Sequence, residues 1–224
     1  MYPFTLPSGR ACALRELTGA EEELLTNAKL LKSGEAINQV LRNGLVSLGE
    51  QTEVSPTDVL DLLAGDRLFL LVKLRQISLG DEVTVSLVCP NPSCRSTSLV
   101  PVNLEDLPVT AYPPEREFTT VLPGSGQTVR FVPLDGHMEK RLAALPEASL
   151  SQAMLIRIRD IDGVPPTKKT LTEMALKDRQ ALRQAMAAAD GGIDTVVEST
   201  CDGCGGPVRT RVEAAPDFLF PGGR

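Results

Sequence analysis

Apolar residues recur along this chain at two spacings, and each change of spacing marks an element. Alternation around Pro7-Ser8-Gly9 in "FTLPSGRACAL" predicts a short β-hairpin. Leu24, Leu25, Ala28 and Leu31 then fall on one helical face, behind a capping box of Thr18 and Glu21. Gly34 interrupts, and a second helical segment gathers Ile37, Val40, Leu41 and Leu45. Ser55-Pro56 opens a third helix with proline at its tolerated first position. A break is expected at Gly65 and an end near Ile77. Its stretch "RLFLLVKLRQ" is apolar on most sides and is expected at the centre of the fold. Period-two strands follow in "EVTVSLV" (82–88) and "STSLVPV" (96–102).

The second half runs in the same order. "TTVLPGSGQTVRFVPLDG" (119–136) parallels "FTLPSGRACALRELTG" (4–19) and predicts a hairpin at Pro123–Gly126. Helices are expected over Ser149–Arg159 and over Thr167–Ala189, the latter halted by Asp190-Gly191-Gly192. Strands are expected in "DTVVEST" (194–200) and "PVRTRV" (207–212). The landmarks share one offset: Cys201 lies 112 residues after Cys89, and Asp178-Arg179 lies 112 after Asp66-Arg67. "VSPT" (54–57) is matched by "VPPT" (164–167). The pattern predicts an internal duplication of two copies, fewer than a solenoid requires. The fold class expected is α+β: two similar lobes, each a β-hairpin, a helical block and a strand–cysteine knuckle–strand. The lobes are read as 1–110 and 119–224, with a linker at 111–118 that overlaps the proline-containing segment 105–117.

The candidate chemistry lies in the knuckles. "VCPNPSC" (88–94) offers Cys89 and Cys94, and "STCDGCGGP" (199–207) offers Cys201 and Cys204. A structural Zn²⁺ site takes four ligands, so each pair is half a site. Placed face to face they form one closed four-cysteine centre, zinc-ribbon-like, that clamps the lobes. Pro90 and Pro92 stiffen one turn, and Gly203, Gly205 and Gly206 permit the bends of the other. Arg95 and Arg209 are expected to offset the net −2 of four thiolates around Zn²⁺. The four-residue gap inside the first pair departs from the usual ribbon spacing and leaves an iron–sulfur cluster or a metal-free site open. So does a redox dithiol at Cys201–Cys204, although "GGPV" opposes the helix N-terminus that such pairs use. Cys12 has no partner in the pattern and reads as a small buried residue.

Composition narrows the function. The chain has 224 residues and a net charge of −6. That surface repels phosphate backbones and argues against nucleic acid, the partner a zinc-ribbon adaptor would bind. No basic-plus-apolar leader is expected from the opening residues, and the longest apolar run, "LFLLV" (68–72), is too short to cross a bilayer. A cytoplasmic protein is expected, or one incorporated into a larger particle. Odd cysteine number and short spacing favour metal over disulfides. His137 is the only histidine and lies without a nucleophile motif, so no enzyme is expected. "PGSG" (123–126) and "DIDG" (160–163) read as turns rather than phosphate or calcium loops. Asp66-Arg67 and Asp178-Arg179 read as solvated charge pairs. Phe218-Leu219-Phe220 either docks on its own domain or seats in a partner.

Two stretches together, "FTLPSGRACALREL" and "DRLFLLVKLRQISLGDEVTVSLVCPNPSC", resemble the T-even-type baseplate hub assembly proteins of contractile phage tails and of phage-tail-like contractile injection systems. The resemblance is strongest over residues 4–110. It implies a non-enzymatic assembly protein or chaperone whose partners are hub, spike or tail-tube-initiating subunits.

Overall fold

In each half the chain enters through a hairpin whose turn carries a glycine in the left-handed region, Gly9 at φ +85° and Gly126 at φ +73°. The computed structural model describes residues 1–145 and 149–221. The first half runs β1 (Tyr2–Thr5), β2 (Ala11–Leu14), α1 (Gly19–Thr26), α2 (Ala28–Lys32), α3 (Glu35–Gly44), β3 (Leu45–Leu48), α4 (Pro56–Leu60) and α5 (Ala64–Leu79). It continues through β4 (Glu82–Val88), β5 (Thr97–Asn103), a 3-10 turn at Leu104–Asp106 and β6 (Val109–Thr110). The second half runs β7 (Phe118–Val121), β8 (Thr128–Phe131), α6 (Gly136–Ala143), α7 (Leu150–Leu155), β9 (Ile158–Ile161), α8 (Lys168–Glu173) and α9 (Leu176–Ala189). It closes with β10 (Gly192–Ile193), β11 (Val196–Thr200), β12 (Pro207–Arg211) and α10 (Pro216–Leu219). The mixture of helix and sheet agrees with the α+β expectation.

Each half holds a three-stranded antiparallel sheet, β1-β2-β3 or β7-β8-β9. The third strand of each corrects the sequence reading. Leu45, expected on a helical face, starts β3, and the helix expected over Ser149–Arg159 stops at Leu155 before β9. These four-residue strands follow their helices with no proline between, and their apolar residues suit either period. Pairing decides: Leu45 and Leu48 align with Leu14 and Cys12, and Ile158 and Ile161 with Phe131 and Val129. Two long helices are also interrupted. Asn27 ends α1, and its side chain accepts from the amides of Lys29 and Leu30 to cap α2. Met174 and Ala175 are extended between α8 and α9. The break expected at Gly65 falls at residues 61–63 instead.

Of the recurring Asp-Arg pairs, Asp66, Arg67 and Asp178 are buried and Arg179 is half-buried, so neither pair is simply solvated. Asp66 is 1 % exposed and Asp178 2 %. Asp66 Oδ1 accepts from the Ser8 amide at 2.9 Å. The Asp178 carboxylate accepts from the amides of Gly124 and Ser125. Each carboxylate therefore leaves the start of a long helix and ties down the hairpin turn of its own half. The following arginine bonds a carbonyl eight residues back: Arg67 to Val59 O at 2.9 Å, Arg179 to Leu171 O. Each also bonds a polar side chain on an earlier helix, Asn38 Oδ1 at 2.8 Å or Ser151 Oγ at 3.2 Å. A backbone amide or carbonyl left unpaired in a core is costly, and these side chains satisfy it.

Two main cores result. One surrounds α5, whose Leu70, Val72 and Leu74 meet Leu14, Leu41, Leu48 and Val59. It also takes Leu104, Leu107, Ile193 and Leu219, so α10 docks back onto the first half. Arg75 Nε donates to Phe218 O at 3.0 Å and fixes that return. Gly222–Arg224 of the tail lie outside the described residues. The other core joins Leu122, Val129, Phe131, Met154, Ile158, Leu171, Leu182 and Met186. Between the cores β6 pairs with β10, and Leu63 bridges to Asp135.

Glu21, the capping-box acid, is buried and accepts from the Thr18 amide at 2.8 Å and from Arg15 Nη2 at 2.7 Å. Burial alone would raise its carboxyl. Arg15 and Thr18 outweigh that and hold it at about 2, below its ordinary 4.5. Its stabilising contribution is complete above about pH 4.5 and is lost as pH falls toward 2. A urea-melt series across that range should lose part of its slope in Glu21→Gln. Asp66→Ala should cost about 2 kcal/mol by stranding the Ser8 amide, read as a lower urea midpoint, with Asp66→Asn costing less.

Candidate metal centre

Both cysteine pairs sit on the tips of two-stranded hairpins, and the tips are built alike. The first hairpin pairs β4 with β5 up to Val88–Thr97, and the second pairs β11 with β12 up to Thr200–Pro207. Beyond those pairs each loop closes on one backbone bond, Cys89 N to Ser96 O at 2.9 Å and Cys201 N to Gly206 O at 2.8 Å. The residue after the second cysteine is left-handed in both, Arg95 at φ +49° and Gly205 at φ +70°. Arginine adopts this region at a cost, which the closing bonds hold in place. In the first loop Asn91 O accepts from the amides of Cys94 and Arg95.

The two tips meet with β12 alongside β4. Cys89 Sγ lies 3.7 Å from Cys204 Sγ, and Cys94 Sγ lies 3.8 Å from Cys201 Sγ. These two distances exchange under a two-fold that swaps the loops, and all four sulfurs lie within 4.8 Å of one another. A tetrahedral Zn–S₄ site with bonds of about 2.3 Å has S···S edges of about 3.8 Å. The donor set and spacing fit such an ion, and the four cysteines could hold a metal. All four are free thiols, with Cys89 and Cys201 buried and Cys204 exposed. Leu87 and Val208 pack beside the two buried ones.

Residues outside the motif complete the site. Ser96 Oγ lies 2.9 Å from Cys201 Sγ and 3.1 Å from Cys94 Sγ, bridging the loops. Ser98 Oγ accepts from the Asp202 amide at 3.1 Å, a second tie across them. Gly203 donates its amide to Cys201 Sγ at 3.4 Å. A Cβ there would lie 2.6 Å from Ser96 Oγ and 3.0 Å from Cys94 Sγ. Gly203 is thus required by close approach, and Gly205 by its dihedral. Sequence reasoning missed both serines. The available signal was a hydroxyl two residues after Cys94, at the position that the second knuckle fills with Gly206.

The charges explain what the cluster can do. The Ser96 hydroxyl, with the amides of Cys204 and Gly203, holds the Cys201 thiol down to about 6. Ser96 lowers Cys94 as well. For Cys89 the Asn91 amide lowers the thiol, but burial and the three neighbouring sulfurs win and push it up to about 12. Four thiolates this close repel one another, and a cation among them reverses that balance. Such a site supplies every ligand from the protein and keeps no position open for substrate, as structural sites do. Arg209 does not serve as a free counter-charge, since it pairs with Glu198 at 3.4 Å. The redox alternative lacks its helix: Cys201 and Cys204 lie between β11 and β12, not at a helix N-terminus.

The remaining candidates lie elsewhere. His137 is in the first turn of α6, half exposed, with Nε2 3.0 Å from Asp61 Oδ1. Cys12 is buried in the first core, and burial, then Asp66, pushes its thiol up to about 11. In "DIDG", Asp160 pairs with Arg130 and accepts from the Gly163 amide, closing a turn. No described helix is long and apolar enough to cross a membrane.

Fold and site define an α+β protein in which two hairpin tips, one from each half of the chain, form a four-cysteine cluster suited to a structural metal. The chain belongs to the family of T4 bacteriophage base plate proteins, whose model matches residues 1–219. No match was found among curated proteins or solved structures.

Gly203→Ala should displace Ser96 and Cys94 and weaken metal binding about tenfold to a hundredfold, as loss of a supporting contact does. Competition with a chromophoric chelator measures it. Ser96→Ala should weaken binding in the same direction.

Proposed function

We propose that this protein is a non-enzymatic, zinc-binding assembly or structural protein of a contractile phage tail or phage-tail-like injection particle. It acts in building the baseplate hub through protein–protein contacts. The observation that carries this is the family match across residues 1–219. The likeness of "FTLPSGRACALREL" and the following helix–knuckle segment to hub assembly proteins supports the narrower role, with hub, spike or tail-tube-initiating subunits as partners. The protein works in the cytoplasm during assembly or within the particle itself.

Cys89, Cys94, Cys201 and Cys204 are the zinc ligands in this reading. The near-tetrahedral sulfur spacing and the amide and hydroxyl donors around Cys201 support it. The chain is two copies of one unit, 1–110 and 119–224, joined at 111–118. Supporting this are the matched sheet orders, the irregularity at equivalent points of β2 and β8, and the paired roles of Asp66-Arg67 and Asp178-Arg179.

Metal analysis of the purified protein should give about one zinc per chain. Knuckles shared between chains would give the same ratio, because each chain brings four thiols, whereas iron or none would remove the zinc clamp. Deleting the gene from its phage or particle locus should stop assembly before baseplates appear in electron micrographs, and the wild-type gene should restore them. Normal, fully active particles without the gene would overturn the assembly role. A Cys89→Ser and Cys201→Ser copy should restore few or none, because the site's binding energy is coupled to folding.

A further inference from the structure

We propose that copies of this chain assemble head to tail, the α8–α9 junction of one copy seating on the β2–α1 junction of the next. The inference rests on reading the two halves as copies of one unit. Within the chain, the α4–α5 junction of the first half docks on the β8–α6 junction of the second. Ala64 N donates to Leu134 O at 2.8 Å and Gly136 N to Leu62 O at 3.0 Å, around the Leu63–Asp135 bridge. Gly136 is buried, and a Cβ on it would lie 2.9 Å from the Cα and carbonyl oxygen of Leu60. Arg67 Nε meets Glu139 Oε2 at 2.6 Å across the same contact.

Both sides of this contact have counterparts. Met174-Ala175-Leu176 stands where Leu62-Leu63-Ala64 does, just before the second half's long helix. Leu17-Thr18-Gly19 stands where Leu134-Asp135-Gly136 does. Thr18 and Asp135 are the N-caps of α1 and α6, and a glycine follows each. Glu22 and Glu139 are both the fourth residue of those helices, and Arg179 matches Arg67.

The counterparts are left unmated. Thr18, Gly19, Glu22, Ala175 and Leu176 are exposed, Leu176 to 83 %. Gly19 is the telling residue. Nothing beyond its own helix lies within 4 Å of a Cβ placed on it, and its backbone is not left-handed. Glycine weakens a helix relative to alanine, and no contact inside this chain asks for one here. At Gly136 the same glycine admits the neighbouring half. The charges also repeat, with Arg179, half-buried, beside one open surface and Glu22 exposed on the other. A contact between unlike surfaces that is satisfied once inside the chain leaves one of each surface free, and copies then add in one direction, into a ring or an open row.

Sedimentation of the full chain over a concentration series, with the zinc content held constant, tests this. Wild type should show multiples of the single-chain mass. Leu176→Asp and Gly19→Leu should each sediment as single chains with unchanged melting curves, since both positions face open space. An equimolar mixture of the two variants should form a dimer and nothing larger, because one intact junction pair remains between them. Wild type that stays a single chain at every concentration overturns the proposal. So do oligomers that survive both substitutions, or variants that fail to pair when mixed. Particle assembly in the deletion strain reads the baseplate role separately, so either result can fail alone.

Discussion

Four sulfurs within 4.8 Å of one another cannot all carry charge unless a cation sits among them. Everything at the tips of the two hairpins answers that constraint. Ser96 and the Gly203 amide are donors to Cys201, while Cys89 is buried against Leu87 and Val208. A two-stranded hairpin is marginal by itself. Here each gains a second attachment through the other, and the attachment joins segments more than a hundred residues apart.

The symmetry at the cluster does not extend to the rest of the molecule. The loops exchange under a two-fold, as the 3.7 and 3.8 Å sulfur pairs show. The two halves do not, since α4–α5 meets β8–α6 and, among the described residues, the reciprocal junctions stand exposed. The chain's end adds to the asymmetry, with Leu219 filling the first core and not the second. The two halves of the chain are thereby held in unlike surroundings. Arg67 finds Glu139 across the junction, whereas its counterpart Arg179 finds Ser151 and Leu171 within its own half.

Much of this was legible in the residues. Cysteine spacing picked out four thiols that the fold brings together, and the 112-residue offset marked Asp66 and Asp178 before their partners were visible. Strand β4 lies where alternation put it, at Glu82–Val88. What stayed hidden depended on contacts distant in sequence. Strands β3 and β9 are too short to show a period, and only pairing with β2 and β8 defines them. Nothing local distinguishes a buried Asp-Arg pair from a surface one, because its partners are amides of a turn 58 or 54 residues away. Ser96 reads as an ordinary strand residue until the second knuckle arrives.

Leu219 sets an order on synthesis. The first half, made first, holds a core with a gap that only α10 fills, and its knuckle presents two thiols that wait for two more. Domains that fold as they emerge avoid such waiting. Here the leading half stays incomplete until α10 has left the ribosome. Its exposed apolar surface, in that interval, is what a holding chaperone would recognise.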